Sequence, residues 1–234
     1  MLDELLRQGF EELKLPLSDS ALAQFRAYYE YLEEQNQVMN LTAISGEEDV
    51  ARLHFLDCAS LLGMESFAGK RAVDVGTGAG FPGLVLKLAC PDTDMTLLDS
   101  LDKRIGFLRR LCEKLGLEDV PCVHMRAEEA PKEYRESFDI AVSRAVARLN
   151  LLCELCLPLV KVGGVFIAMK GPDIAEELQE AERCIAALGG KTERVEKYTV
   201  PGTDVSHSAV VIRKLSATPA KYPRRWAQIK SRPL

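Results

Sequence analysis

The chain has 234 residues, of which 47% are hydrophobic and 28% are charged. This length and composition exclude a fibrous repeat or extended disorder, and they are typical of one globular domain with an extension. No apolar run approaches the roughly 20 residues needed to span a bilayer, and the amino terminus lacks the basic and apolar regions of a signal peptide. We therefore expect a cytoplasmic monomer with no membrane partner.

The formal net charge of -5 conceals an uneven distribution along the chain. Residues 1–50 carry 11 acidic and 3 basic side chains, whereas residues 213–234 carry 7 basic and no acidic ones. Because a polyanion responds to the local field, the basic tail is a candidate contact for phosphate. A solubilising tail explains the same composition equally well, so both interpretations stay open here.

The seven cysteines are scattered over apolar segments. This odd number favours reduced thiols in the core over a disulfide framework. Cys153 and Cys156 form a C-x-x-C, but a zinc site normally needs two more ligands at similar spacing, and His124 and His207 are isolated. We expect no bound metal.

The amino-terminal part of the chain has a helical pattern. Apolar residues follow Ser18 at helical spacing, which predicts an amphipathic helix with Ser18 as its N-cap. Another helix is predicted from about residue 47 to residue 62. Residues 1–65 are therefore expected to form a helical extension that packs on a larger domain.

From residue 70 onward, short β-rich runs alternate with helical segments. The predicted strands are 72–75, 95–99, 120–124, 138–142 and 165–169, and the predicted helices lie near 82–90, 103–115, 149–157 and 173–188. Strict alternation predicts a parallel sheet covered on both faces, because parallel strands need crossover connections. Two further strands near 193–200 and 207–213 are joined by a link that fits a hairpin, so one strand should be antiparallel.

The glycine-rich run Asp74-Val-Gly-Thr-Gly-Ala-Gly80 follows the first predicted strand and leads into a helix. In this context glycines let the backbone turn sharply and approach a ligand. The triplet Gly78-x-Gly80-x-x-Gly83 is by itself a weak dinucleotide signal. S-adenosylmethionine (AdoMet) and NAD are thus competing ligands, and a tight turn without a ligand is the structural alternative.

Residues around and after this run favour AdoMet. Asp74 could interact, through water or hydrogen bonds, with the cationic methionine end of AdoMet, whereas its charge would repel a pyrophosphate. Asp99, at the end of the next strand, can accept both ribose hydroxyls, although NAD enzymes use the same acid. Ala127 and Glu128 follow the third strand, where AdoMet enzymes often hold the adenine edge.

Four motifs stand out along this part of the chain. They are Asp74-Val-Gly-Thr-Gly-Ala-Gly-Phe-Pro-Gly83, Leu97-Leu-Asp-Ser-Leu-Asp-Lys-Arg104, Arg126-Ala-Glu-Glu129 and Val142-Ser-Arg-Ala145. Outside the predicted sheet they are joined by Asn40-Leu-Thr-Ala-Ile44, His54-Phe-Leu-Asp57 and Thr218-Pro-Ala-Lys-Tyr-Pro-Arg-Arg225. Over roughly residues 35–225, this set closely resembles the RsmG (GidB) family of bacterial small-subunit rRNA methyltransferases.

The resemblance implies a fold and an activity. The expected fold is the class I AdoMet-dependent methyltransferase (Rossmann-like) fold, an α/β fold with a mostly parallel seven-stranded sheet, over residues 66–215, followed by a basic tail over 216–234. The expected reaction is AdoMet-dependent methylation of guanine N7 in the 530 loop of 16S rRNA. Since the target base must be unstacked, a small ribosomal subunit or an assembly intermediate is the expected substrate.

The resemblance also implies site residues. The expected cofactor contacts are Asp74, Gly76, Gly78, Gly80, Phe81, Asp99, Ser100, Ala127, Glu128 and Arg144. The expected RNA contacts are Lys103, Arg126, Lys170, Arg224 and Arg225. Guanine N7 has a free lone pair, so no general base is required, and Arg144 is the one candidate catalytic residue.

Simpler roles compete with several of these expectations. Phe81 could only pack its helix, and each basic side chain could be an ordinary solvated charge. His54 and Asp57 share a helix face, where a local polar pair is at least as plausible as a contact with RNA. At the level of the whole chain, the alternatives are a methyltransferase for a small molecule or protein, a nucleotide-binding oxidoreductase and a non-catalytic AdoMet-binding regulator.

Overall fold

A computed structural model describes residues 1–144 and 146–234 of the chain. The strands are β1 (Arg71–Val75), β2 (Asp94–Asp99), β3 (Cys122–His124), β4 (Phe138–Arg144), β5 (Val160–Lys170), β6 (Gly190–Thr199) and β7 (Ser206–Lys214). They form one sheet in the order β3-β2-β1-β4-β5-β7-β6. Only β7 runs antiparallel to its neighbours in this sheet. The α/β class and the terminal hairpin predicted from the sequence are confirmed.

The helices include those that the hydrophobic pattern predicts. They are α1 (Leu2–Glu12), α2 (Asp19–Met39), α3 (Glu47–Val50), α4 (Asp57–Ala59), α5 (Gly83–Ala89), α6 (Asp102–Lys114), α7 (Leu149–Cys156), α8 (Ala175–Ala187) and α9 (Trp226–Ser231). Among these, α1 and α9 are helices for which no helix was predicted. Ser18 caps α2 as predicted, because its hydroxyl accepts a hydrogen bond from the Ala21 N–H at 3.1 Å.

The helix predicted near 47–62 is interrupted by a wider turn. A π-helical segment, Ala51–Leu56, joins α3 to α4, and a 3₁₀ turn, Ser60–Gly63, follows. Wide turns of this kind are often found at functional sites. Here the wide turn carries His54 toward the carboxyl edge of the sheet, where it contacts side chains from β4 and from the glycine-rich loop.

Several strand boundaries differ from the prediction, and the starts of β3 and β5 have a clear physical reason. β3 begins at Cys122 rather than at residue 120, and Pro121, which precedes it, has no N–H to donate to a ladder. β5 begins at Val160, five residues early, and residues 161–163 near its start are exposed. The hydrophobic pattern of the sequence predicted only the buried second part of β5.

The helical extension shares a core with the sheet. Phe10 of α1, Phe25 of α2 and Phe55 of the π-helical turn are fully buried, with ring centroids 5.9 and 5.0 Å apart along this series. They belong to the same cluster as Leu84 of α5 and Leu108 of α6, which cover one face of the sheet. Burial of this apolar surface holds the extension against the sheet.

The first part of the tail is fixed to the sheet. Lys214, whose side chain is fully buried, donates to the Leu157 carbonyl and the Thr218 hydroxyl, both at 2.6 Å. Arg135 donates to the carbonyl oxygens of Thr218 and Tyr222 at 2.6 and 2.7 Å. These bonds satisfy one buried and one half-buried cation, and they determine where the remaining basic residues of the tail emerge.

Two further features concern the described part of the chain. None of its helices is both long and apolar enough to cross a membrane. Within the same residues, all seven cysteines are free thiols, six of them buried, and no group of three or more His, Cys, Asp or Glu side chains is arranged to hold a metal ion.

Candidate functional site

The order of the strands places a crevice between β1 and β4. From β1 the chain proceeds outward through β2 and β3, and from β4 it proceeds the other way through β5. In open α/β sheets, ligands bind at the carboxyl ends of the strands where the order reverses in this way. Ser143 links the two strands there, since its buried hydroxyl donates to the Val75 carbonyl at 2.8 Å.

A cavity of about 420 Å³ lies at this point. We call it the glycine-loop cavity, and its walls include the loop 76–79 with Phe81, Asp99, Ser100, Arg104, Arg144 and His54. Six of the ten predicted cofactor contacts line it, namely Gly76, Gly78, Phe81, Asp99, Ser100 and Arg144.

The loop backbone has a conformation that favours glycine. Gly76 and Gly78 have φ angles of +74° and +61°, in the left-handed region. A Cβ atom at Gly78 would meet no heavy atom within 4 Å, so it would project into open space. The Gly76 N–H donates to the Leu98 carbonyl at 2.8 Å, which holds the loop to the end of β2.

Asp99 is the buried anion of this cavity. Its side chain is 2% exposed, and Oδ2 accepts a hydrogen bond from the Gly78 N–H at 2.9 Å. Oδ1 accepts from the Leu101 N–H at 2.9 Å, and Arg104 lies 3.4 Å from Oδ2. These donors fix the carboxylate at the cavity wall, where it can accept hydrogen bonds from hydroxyl groups of a ligand.

Asp74 lies behind the loop and not in the cavity. It is fully buried, and Oδ2 accepts from the Gly83 N–H at the start of α5 at 2.7 Å. Burial raises the pKa of Asp74 to about 7, against the opposing effect of this hydrogen bond. Oδ1 has no hydrogen-bond partner among the described residues. An interaction of Asp74 with the methionine end, through water or hydrogen bonds, remains a prediction.

Three other predicted contacts lie away from the glycine-loop cavity. A Cβ atom at Gly80 would lie 2.5 Å from the Tyr28 hydroxyl, so this glycine permits packing against α2. Ala127 is buried, and Glu128 forms an ion pair with Arg126 at 2.7 Å. A contact of Ala127 and Glu128 with an adenine ring remains a prediction.

Tyr28 supports the glycine-rich loop from outside the sheet. Its fully buried hydroxyl donates to the Ala79 carbonyl at 2.6 Å, and its ring stacks on Phe81 with centroids 5.4 Å apart. This role could not be predicted from the local pattern, since Tyr28 matches a simple apolar position of an amphipathic helix. The extension thus contributes directly to the shape of the loop.

We expect Tyr28→Phe to weaken AdoMet binding about 3- to 10-fold, because one buried hydrogen bond is lost while the ring packing is kept. Calorimetric titration with AdoMet measures the change. Tyr29→Phe, on a half-buried residue of the same helix, is the matched control. Equal affinities for the wild type and Tyr28→Phe would show that the loop keeps its shape without this bond.

Arg144 is the centre of a buried polar network. Its Nη2 lies 2.8 Å from Nδ1 of His54, and its Nη1 donates to Oδ2 of Asp57 at 3.2 Å. Asp57 in turn accepts at Oδ1 from the Tyr198 hydroxyl at 2.8 Å and from Nδ1 of His207 at 2.9 Å. The network therefore joins the helical extension to β4, β6 and β7.

His54 is held in its neutral form. Burial, with the nearby Arg144 guanidinium, lowers the pKa of His54 to about 3. Neutral imidazole can accept from Arg144 at Nδ1 and donate from Nε2 to the Thr42 hydroxyl, 2.8 Å away. Its ring also stacks on Phe81 with centroids 4.1 Å apart. His54 and Asp57 are thus linked through Arg144 and not as a local pair.

Arg224 is paired with a buried carboxylate. Its Nε and Nη2 donate to the two oxygens of the buried Glu154 at 2.8 and 2.6 Å, and Nη1 donates to the Arg232 carbonyl. A buried carboxylate without a cation would be costly, so this pair is needed for the fold. A contact of Arg224 with RNA remains a prediction, for a guanidinium that already has a partner and is 21% exposed.

The other four predicted RNA contacts differ in their surroundings. Lys170 forms an ion pair with Glu177 at 2.6 Å. Arg126, besides its ion pair, lies 5.7 Å over the ring of Trp226 in the tail. Lys103 and Arg225 are exposed and have no side-chain partner among the described residues. Ala145, the last residue of the Ser-Arg-Ala motif, lies outside the described residues.

A family model described as GidB, rRNA small subunit methyltransferase G, matches residues 21–205. The chain is 47% identical over 233 residues to a ribosomal RNA small subunit methyltransferase G from Alkaliphilus metalliredigens, with 98% of each chain covered. It is 42% identical to a protein of the same name from Clostridium perfringens (strain 13 / Type A), over 99% of this chain and 98% of the relative.

Solved structures with the same fold include methyltransferases. A SAM-dependent O-methyltransferase from Thermotoga maritima matches with a TM-score of 0.56 and 17% identity, over 80% of this chain and 73% of that one. TYW2 from M. jannaschii, solved in complex with AdoMet, matches with a TM-score of 0.51 and 14% identity, over 62% and 69%. The class I methyltransferase fold predicted from the sequence is confirmed.

Proposed function

Because the chain belongs to the rRNA small subunit methyltransferase G (GidB) family, we propose that it transfers a methyl group from AdoMet to guanine N7 in the 530 loop of 16S rRNA. The observation that carries the proposal is the glycine-loop cavity at the point where the strand order reverses, with the Asp99 carboxylate fixed in its wall. We further propose that the protein acts as a cytoplasmic monomer on the small subunit or on an assembly intermediate, where the target base can be unstacked.

The residues of the cavity fit AdoMet. Gly78 leaves the space that a side chain would fill, and Asp99 offers oxygens to ribose hydroxyls. Phe81 and Ser100 complete the wall. When bound, AdoMet supplies an electrophilic methyl group on a sulfonium centre.

The same residues disfavour NAD. A dinucleotide places its pyrophosphate at the start of the helix after the glycine-rich loop, where free N–H groups bind anions. Here the Asp74 carboxylate already accepts from the Gly83 N–H at the start of α5. A phosphate at this position would have to displace that carboxylate, which disfavours the oxidoreductase alternative.

The side chains around the cavity position a substrate and transfer no proton. Guanine N7 has a lone pair and no proton to lose, so a general base is not needed. His54 is neutral and uses both ring nitrogens within the protein, and Arg144 is paired with Asp57. Their contribution is a fixed, largely dehydrated wall beside the reacting groups.

Calorimetry and an rRNA map test the proposal together. We expect AdoMet and S-adenosylhomocysteine to bind the purified chain, and NAD(H) not to bind. Cleavage chemistry specific for 7-methylguanosine, applied to 16S rRNA from a deletion strain, should lose one signal in the 530 loop and regain it with the restored gene. An unchanged map would contradict the proposed rRNA substrate. Binding of NAD without binding of AdoMet would contradict the proposed methyltransferase activity.

The exposed basic residues lie beside the carboxyl edge of the sheet. Lys103 stands in the first turn of α6, directly after β2, and is exposed. Trp226 lies under Arg126, which follows β3, so the adjacent Arg225 emerges near the same edge. RNA phosphates bound there would approach the glycine-loop cavity.

Arg225→Ala is expected to weaken binding to small ribosomal subunits about 2- to 5-fold and to reduce the salt slope of the affinity by about one, because one phosphate contact is lost. Filter binding over a range of salt concentrations measures both. Arg183→Ala, on an exposed arginine of α8, serves as the control. An unaltered affinity and slope for Arg225→Ala would identify the tail as a solubilising element.

A further inference from the structure

A second cavity adjoins the glycine-loop cavity on the side of β5 and β7. Its volume is about 440 Å³, within the range of small-ligand pockets. We call it the β7 cavity, and its walls include Ile44, Leu53, Asp57, Met169, Val205 and His207. Because Val205 is 39% exposed, the cavity opens to solvent at this residue.

The two cavities share two side chains. His54 and Arg144 line both of them. A ligand in the β7 cavity would therefore lie directly beside a ligand in the glycine-loop cavity. Transfer between two bound molecules requires this arrangement, because the reacting atoms must come within contact distance.

The walls of the β7 cavity suit a flat aromatic ring. Ile44, Leu53, Met169 and Val205 supply apolar surface for the faces of a ring. An RNA base must leave its stack before an enzyme can modify it, and the replacement surface is usually apolar or aromatic. The occupant that these walls fit is a single unstacked base.

One polar group on the wall remains available to the occupant. His207 donates from Nδ1 to Asp57, and its Nε2 has no hydrogen-bond partner among the described residues. The hydrogen bond with Asp57 raises the pKa of His207, which favours the form that carries a proton on Nε2 as well. Guanine presents the acceptor O6 beside N7, whereas adenine presents an amino donor there.

We propose that the β7 cavity receives the target guanine and that His207 Nε2 donates a hydrogen bond to its O6, which selects guanine over adenine. The proposal rests on the proposed function and assigns the base to a place in the structure. His207 is then a residue that contacts substrate, whereas Asp57 and Tyr198 orient its ring and the elements around it.

A variant that fills the β7 cavity tests whether the target base binds there. Val205→Trp should lower kcat/KM for small ribosomal subunits about 10-fold or more, with an AdoMet dissociation constant within about twofold of the wild type. Val162→Trp, an exposed valine at the other end of β5, is the matched control for the added indole. Wild-type kcat/KM for Val205→Trp would overturn the location of the base, as would a defect confined to AdoMet binding.

Two variants of His207 test the hydrogen bond from its Nε2 to O6 of the guanine. In His207→Asn the side-chain amide can still donate to Asp57, but no group remains at the position of Nε2. In His207→Gln the amide lies near the position of Nε2 and can donate to the base, but the hydrogen bond to Asp57 is lost. We expect His207→Asn to lower kcat/KM for the subunits roughly 10- to 100-fold and His207→Gln to retain more activity, both with unchanged AdoMet binding. A purely structural role predicts the reverse order, which would overturn the contact with O6.

The failure of this proposal is distinguishable from the failure of the proposed function. If the wild-type chain methylates small subunits and both Val205→Trp and His207→Asn match it, only the assignment of the base to the β7 cavity is lost. If the wild-type chain binds AdoMet but leaves the subunits unmodified, the rRNA substrate is lost, and the assignment is lost with it. Thermal unfolding of each variant with AdoMet bound separates a lost contact from a lost fold.

Discussion

Asp99→Ala is expected to bind AdoMet at least about 100-fold more weakly than the wild-type chain, because hydrogen bonds to a buried charged group contribute about 1.5–3 kcal/mol each. The carboxylate has two roles at once. It faces the cavity where a ribose would bind, and its Oδ2 holds the Gly78 N–H at 2.9 Å. Removing it deletes the acceptor for the ligand and also releases the loop. Calorimetric titration measures the dissociation constant.

Two variants complete this experiment. Asp99→Asn keeps an oxygen for the Gly78 N–H but loses the charge, so we expect an intermediate loss of about 10-fold. Asp102→Ala removes a carboxylate that is 77% exposed, in the first turn of α6, and should leave the affinity unchanged. An Asp99→Ala affinity within twofold of the wild type would contradict the role given to this residue.

Most of the fold could be predicted because its signals are local. A buried strand such as 72–75 and an amphipathic helix such as the one after Ser18 each have a periodicity that a short window reveals. The antiparallel β7 followed from the shortness of the link between the last two strands. The glycine-rich loop and Asp99 were predictable for the same reason, since a strand, a turn and a helix are contiguous in the chain.

The polar network could not be predicted from local patterns. Asp57 and His207 are separated by 150 residues, and nothing near either residue indicates the other. His207 is isolated in the sequence, and the hairpin of β6 and β7 brings it to the carboxyl edge of the sheet, beside β5. Contacts of this kind depend on the topology of the whole sheet.

The basic tail shows a related limit. Its charge was evident from composition, but composition does not reveal which cations have a partner in the fold. Glu154, an acidic residue in an apolar helix, binds Arg224, while the neighbouring Arg225 remains exposed. Two adjacent arginines therefore have different roles, and the difference is set by one buried carboxylate 70 residues away.

The helical extension has more than a covering role. Its second helix supplies Tyr28, which supports the Ala79 carbonyl, and the segments that follow supply Thr42, His54 and Asp57. His54 lines both cavities, Thr42 lines the glycine-loop cavity and Asp57 lines the β7 cavity. Tyr28 acts through the loop that it supports. A chain without the extension would lack this support for the loop and for Arg144.

Arg144→Met is expected to lower the free energy of unfolding by about 3–5 kcal/mol, as is found when one partner of a buried ion pair is removed. The side chain of Arg144 is 16% exposed and that of Asp57 is 2% exposed, so water cannot replace the lost donors. The change also leaves Nδ1 of His54 without its donor. Urea unfolding measures the effect, and AdoMet-dependent methylation of small subunits should be lost.

The comparison variants for Arg144 separate charge from packing. Arg148→Met removes a guanidinium that is 56% exposed and pairs with a surface glutamate, so its cost should stay below about 1 kcal/mol. In Arg144→Met/Asp57→Asn the buried carboxylate is removed together with the guanidinium that pairs with it, and we expect the double variant to be less destabilised than the sum of the two single variants. Strict additivity, or a loss below about 1 kcal/mol for Arg144→Met, would show that the network does not stabilise the fold through this pair.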